Sequence, residues 1–197
     1  MTKHQDQNLP AQVDEYFNGL KVTLDSIDHR PIQQAIDVFH QARLQRRQVF
    51  IFGNGGSAST ASHMACDLAK NTYQSELPPL KVLSLSDNTA IFSAYSNDEG
   101  YENSFAMQLA NLIEPDDIVV AISTSGNSPN VLRAVELARS HGAYAIGFTG
   151  FSGGKLSEMV DLELHVPSDS IEQVEDIHLM LEHLITKALR EMTAEKE

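Results

Sequence analysis

Five short runs rich in β-branched and aromatic residues punctuate the chain: QVFIFG from Gln48, LKVLSLS from Leu80, DIVVAIS from Asp117, AYAIGFT from Ala143 and DLELHVP from Asp161. Between most of them lie stretches with helical character, 57–70, 101–112 and 128–141. Strands alternating with helices form a parallel sheet covered on both faces. The pattern predicts an α/β fold, a three-layer α/β/α sandwich with a five-stranded parallel sheet. Ahead of it, Tyr16, Leu20, Leu24 and Ile27, then Ile32, Ala35, Val38, Phe39 and Ala42, recur at helical spacing. They predict amphipathic helices over 13–27 and 31–46, with Pro31 in a favoured first-turn position. A long helix is expected from 171 to about 192. The division is then 1–46 for the N-terminal helices, 47–168 for the α/β core and 169–197 for the C-terminal helix. With 197 residues, 42% of them hydrophobic, the chain suits one compact domain.

A formal net charge of -13 argues against nucleic acid as a partner, because phosphate backbones reward clustered Lys and Arg. It does not argue against a phosphorylated small molecule, which backbone amides can bind locally. The single cysteine, Cys66, rules out an intrachain disulfide and fits a reducing compartment. The opening MTKHQDQNLPAQVDEYFNGL is polar, without a secretory pattern, and no run approaches the roughly 18 apolar residues of a membrane span. A soluble cytoplasmic protein is expected, with no membrane partner.

Two strand-to-helix loops stand out, GNGGSAS from Gly53 and STSGNSPN from Ser123. In open α/β sheets ligands bind at such carboxyl ends of strands. Glycines at 53, 55 and 56 allow close backbone approach, and Ser57 is placed to begin the next helix. Ser123, Thr124, Ser125 and Ser128 add hydroxyl donors, so the loops could surround a phosphate with amides and hydroxyls alone. They also read as ordinary serine-capped turns. GNGGSA matches a dinucleotide fingerprint, but the acidic residue expected roughly 20 positions on is missing, and so is the Walker lysine.

His63 and Asp67 are four apart on a predicted helix and share a face. Such a pair is either a metal-ligand pair or a helix-surface contact. On the last helix, Val174, Ile177, Leu181, Leu184, Ile185 and Ala188 form the expected apolar stripe, with His178 beside it as a satisfied, partly buried histidine. His183 falls nearly opposite, with Glu175 between the two. A pocket role for His183 therefore calls for a neighbouring subunit, and homo-oligomerisation is expected. Asp169 and Glu172 read as a solvated helix start, and Cys66 as a small buried side chain.

GNGGSASTASHMACDL, LSLSDNTAIFSAYSND, AISTSGNSPNVLRAVELAR, GFTGFSGGKL and VEDIHLMLEH occur in an order and spacing that resembles the sugar isomerase (SIS) superfamily. Within it the chain is similar to the phosphoheptose isomerases, from about residue 10 to 192. The resemblance implies a flavodoxin-like or Rossmann-like domain and a homotetramer. It implies phosphate binding by Ser57, Ser123, Thr124, Ser125 and Ser128 near Asn54 and Gly55, with Asp87, Asn88 and Asp98 lining the sugar. A zinc ion would be held by His63, Asp67, Glu175 and His183, with Asp67 or Glu175 as base and His183 as proton carrier. The implied reaction takes sedoheptulose 7-phosphate to D-glycero-D-manno-heptose 7-phosphate through an enediol.

Three positions depart from the pattern. Asp67 stands for a glutamate, Glu175 for a glutamine and Asn71 for an arginine. Two further readings follow: a non-catalytic phosphosugar-binding module acting through protein contacts, and an isomerase of another phosphosugar. Retention of His63, Asp67, Glu175 and His183 together favours an enzyme.

Overall fold

The computed structural model describes residues 9–192. The ends of the expected terminal segments, 1–8 and 193–197, lie outside the described residues. Two helices, α1 (Leu9–Asp25) and α2 (His29–Leu44), precede strand β1 (Gln48–Gly53) and helix α3 (Gly56–Lys70). There follow β2 (Lys81–Ser84), α4 (Thr89–Asp98), a 3₁₀ turn at Tyr101–Asn103 and α5 (Ser104–Leu109). The chain continues through β3 (Ile118–Ser123), α6 (Pro129–Ser140), β4 (Tyr144–Thr149), α7 (Leu156–Met159), β5 (Leu162–His165) and α8 (Ile171–Glu191).

All five strands are parallel, in the order β2-β1-β3-β4-β5. Successive side chains of a strand point to opposite faces, and the burial follows that period. Val49, Ile51, Val120, Ile122, Ile146 and Phe148 pack under α2, α3 and α8. Phe50, Phe52, Val119, Ala121 and Ala145 pack under α5 and α6. The order reverses between β1 and β3, which run side by side with Gly53 opposite Ile122. Their carboxyl ends meet at the switch point of the sheet, where such folds open a crevice.

The helices differ from expectation in instructive ways. α2 starts at His29 because Asp28 caps it, accepting the Arg30 N–H. The stretch expected as one helix over 101–112 is a 3₁₀ turn and the short α5, and α4 precedes it unforeseen. α4 has no fully buried residue and meets the core mainly through the partly buried Phe92, so it offers little apolar stripe to read; its start is marked by Asn88, which accepts the Ile91 N–H. α8 buries Val174, Ile177, His178, Leu181, Glu182, Ile185, Thr186 and Leu189, whereas Leu184 of the expected stripe is exposed. Two neighbours explain the shift, since α8 packs on both α2 and α3 and its covered face turns towards them. Cys66, expected to be buried, is exposed.

Candidate active site

At the switch point Asn54, Ser57, Ser123, Thr124, Ser125 and Ser128 line a hollow of about 170 Å³, with Phe151, Ile171 and Glu175 at its other side. Ser123 and Ser128 bring their hydroxyls to 3.2 Å. The buried hydroxyl of Thr124 meets no hydrogen-bond partner among the described residues. Both helices that start here, α3 after Gly55 and α6 after Ser128, lack a side-chain cap, as do the short α5 and α7, whereas α2, α4 and α8 each have one; in α6 the Val131 N–H donates to Asn130 Oδ1. Uncapped amides and a spare hydroxyl converging on one hollow suit a bound anion. No lysine or arginine lines it.

The loops hold this shape through specific backbone demands. Gly55 and Gly126 adopt left-handed conformations, with φ of 57° and 62°, and a Cβ on Gly126 would collide with the Gly153 carbonyl. Asn54 is fixed by a mutual pair of 2.9 Å hydrogen bonds with fully buried Asn130, and it accepts another from Tyr101 at 2.8 Å. Sequence reasoning gave a role to neither: Asn130 closes the STSGNSPN run, where only the hydroxyl side chains were singled out, and Tyr101 lies outside both loops.

α3 and α8 lie side by side and run the same way. At their starts the Glu175 carboxylate rests on Gly56, where a Cβ would collide with it. Further along, His183 Nε2 stands 3.3 Å from His63 Nε2. His63 Nε2 is also 3.7 Å from Asp67 Oδ2, and His183 Nε2 is 3.4 Å from Glu182 Oε2. One ligand atom from each of His63, Asp67, Glu182 and His183 lies within 4.8 Å of all the others. The two imidazoles are about half exposed, while Glu182 is wholly buried and neither of its oxygens meets a hydrogen-bond donor among the described residues. Burial first, then the charge of Asp67, push the Glu182 carboxyl up to about 7. An orphaned carboxylate beside two imidazoles and a second carboxylate is a donor set that fits a metal ion.

His183 therefore reaches this group within its own chain, which removes the argument that a pocket role for it needs a second subunit. The fold does not bring Glu175 into the group; it lies about two helical turns before Glu182, in the hollow. Glu182 was missed because the expected stripe put it on the open side, although its spacing of four from His178 places the two on one face. His178 is wholly buried, donating from Nε2 to the Thr149 carbonyl at 3.1 Å, and has no part in the group. Burial holds its pKa down at about 4.

The three residues assigned to the sugar do not line the hollow within this chain. Asp87 accepts hydrogen bonds from Ser84, at 3.1 Å, and from Ser62 of α3. Asn88 caps α4, and Asp98 ends it, accepting from Asn97 at 2.7 Å. Asn71 donates to Asp67 Oδ1 at 2.8 Å and so orients that carboxylate.

Fold and site together define a doubly wound α/β domain with a serine-lined pocket at its switch point, free of lysine and arginine, and a His/carboxylate group beside it. The SIS domain profile matches residues 15–150, and the chain belongs to the SIS domain family, among the phosphoheptose isomerases. The phosphoheptose isomerase of Rhodospirillum rubrum is 43% identical over 138 residues, covering 70% of this chain and 73% of that protein. That of Helicobacter pylori is 36% identical over 178 residues, covering 90% and 92%. The solved structure of a phosphoheptose isomerase from Francisella tularensis superposes with a TM-score of 0.87 at 32% identity, covering 94% of this chain and all of that one.

Proposed function

We propose that the protein is an aldose–ketose isomerase that converts sedoheptulose 7-phosphate to D-glycero-D-manno-heptose 7-phosphate. The observation that carries this is the pairing of α3 and α8. Each lines the hollow at its start and the His/carboxylate group further along. At about 1.5 Å per residue, Ser57 to His63 covers roughly 9 Å of helix and Glu175 to His183 roughly 12 Å. A seven-carbon chain of staggered bonds about 1.5 Å long spans roughly that length from its phosphate to C1. The relatives' activity on phosphoheptose agrees with this span.

In this reading the hydroxyls of Ser57, Ser123, Thr124, Ser125 and Ser128 and the open amides of α3 and α6 hold the phosphate, with Asn54 and Gly55 shaping the entrance. Of the two carboxylates expected as base, Asp67 stands at the C1 end and Glu175 lies with the phosphate in the hollow, so Asp67 takes the proton from C1. The C1–H electron pair becomes the C1=C2 bond as the C2 oxygen gains a proton from His183. Return of a proton to C2, with loss of one from the C1 hydroxyl, completes the aldose. Zinc bound at the His63, Asp67 and His183 group would supply Lewis-acid polarisation of the sugar oxygens.

Homotetramer formation belongs to the same proposal. Leu9, Val13 and Phe17 on α1 are each more than half exposed, an apolar face suited to another copy, and light scattering measures the assembly. A cytoplasmic location fits the lone cysteine, and no described helix is long and apolar enough to cross a membrane.

The test incubates purified, zinc-loaded protein with sedoheptulose 7-phosphate and follows the sugar by NMR. Heptose 7-phosphate is expected. Normal phosphosugar binding without conversion would overturn the proposal and leave the non-catalytic binding reading.

A further inference from the structure

The family pattern takes the fourth metal ligand from the position of Glu175, but the fold puts a different carboxylate next to the other three. We propose that Glu182 completes the metal centre with His63, Asp67 and His183, so that one chain closes a site of two imidazoles and two carboxylates, and Glu175 remains free in the hollow. This rests on reading the group as a metal centre.

The separations support it. Zinc ligands at about 2.0–2.2 Å in tetrahedral array lie about 3.3–3.5 Å from one another. His63 to His183 is 3.3 Å, His183 to Glu182 3.4 Å and His63 to Asp67 3.7 Å. These are three of the six edges of such a tetrahedron, and all four atoms lie within 4.8 Å of one another, so small side-chain shifts would close them on one ion.

Glu182 itself gives the second, independent argument. Its side chain has no exposed surface, and both oxygens lack a hydrogen-bond donor among the described residues. A carboxylate taken out of water is disfavoured unless it takes up a proton or gains a positive partner, and a cation shared with the imidazole 3.4 Å away would be such a partner. Four protein ligands fill a tetrahedral shell, so a sugar oxygen would enter as a fifth ligand, from the side on which the two imidazoles are half exposed.

The neighbouring departures agree. Asp67 is a methylene shorter than the glutamate of the family pattern, and Asn71 holds its Oδ1 at 2.8 Å, so that it stays on α3's side of the group. Glu182 approaches from α8 across the space that remains. Glu175, seven residues earlier, sits roughly 10 Å back along that helix. Its carboxylate lies against Gly56 instead.

The test titrates zinc into metal-free wild-type protein, Glu182→Gln and Glu175→Gln by calorimetry, and records the visible spectrum of each with cobalt(II). Glu182→Gln is expected to lose on the order of 100-fold or more in affinity and to change the cobalt spectrum, while Glu175→Gln binds within about threefold of wild type. Melting in chelator controls for folding. There Glu182→Gln, or Glu182→Met as a second variant, should melt no lower than wild type, with only the wild type gaining markedly on zinc addition. Wild-type affinity in Glu182→Gln, metal loss in Glu175→Gln, or no metal binding by the wild type would each overturn the proposal. A zinc pattern as expected in a protein without turnover would refute the isomerase reading alone, because these readouts follow metal and not catalysis.

Discussion

His63 on α3 and His183 on α8, 120 residues apart, face each other with their Nε2 atoms 3.3 Å apart. Two imidazoles this close cannot both be charged without repelling, and a shared cation relieves them. Zinc should therefore staple α3 to α8. At a free concentration 1,000 times its Kd, it should stabilise the fold by about 4 kcal/mol. Thermal melts with zinc and with chelator should differ in the wild type and coincide in His63→Ala.

Thr124 places a buried, unpartnered hydroxyl at the hollow. Thr124→Val should leave stability unchanged or slightly higher, since no hydrogen bond within the protein is lost. Phosphosugar affinity should fall roughly 10- to 100-fold, the worth of one hydrogen bond to a charged group. Urea unfolding and calorimetric binding read the two effects separately.

Gly126 combines a φ of 62° with a backbone so close to Gly153 that no Cβ fits. Gly126→Ala should cost at least about 2 kcal/mol and weaken phosphosugar binding by displacing the 123–128 loop. Urea midpoints compared with those of Gly142→Ala check this, because Gly142 is also left-handed but has only ordinary contacts, with Pro115.

His178 predicts a pH dependence. Its pKa falls from 6.5 to about 4 because burial disfavours the charged ring, and its Nδ1 has no partner among the described residues. Between those values the unfolded chain binds the proton that the native state refuses. This should cost stability as pH falls through 6.5, by about 1.4 kcal/mol per unit, until it levels off below pH 4. Glu182, raised to about 7, opposes it in part of that range because there the native state takes up a proton that the unfolded chain does not. The His178 contribution is therefore read as a difference: in urea unfolding at pH 7, 6 and 5, the wild type should lose stability relative to His178→Gln by that slope, and parallel curves would contradict it.

Much of the fold was legible because each strand is a run of apolar residues ended by glycine, serine or proline. All five strands lie within a residue or so of the runs read from the sequence, and the serine-rich loops meet where a reversed strand order puts them. α4 was illegible because its hold on the core rests on the partly buried Phe92 and none of its residues is fully buried, so no broad apolar stripe marks it. The site was legible in part. His63 and Asp67 share a helix face by spacing alone, but the encounter with His183 depends on how α8 turns between two neighbouring helices. That same turn buries Glu182 and takes Glu175 elsewhere, and no local pattern encodes it. Asp87, Asn88 and Asp98 belong to a segment whose hydrogen bonds bind it to α3 and α4.

In the proposed isomerase one half of the site grips the phosphate and the other performs the proton transfer. The decisive variant is His183→Ala, with phosphosugar affinity by calorimetry and sedoheptulose 7-phosphate turnover by NMR measured on the same preparation. Affinity should stay within a few-fold of wild type while turnover falls at least about 100-fold. Turnover at the wild-type rate would refute the division of labour.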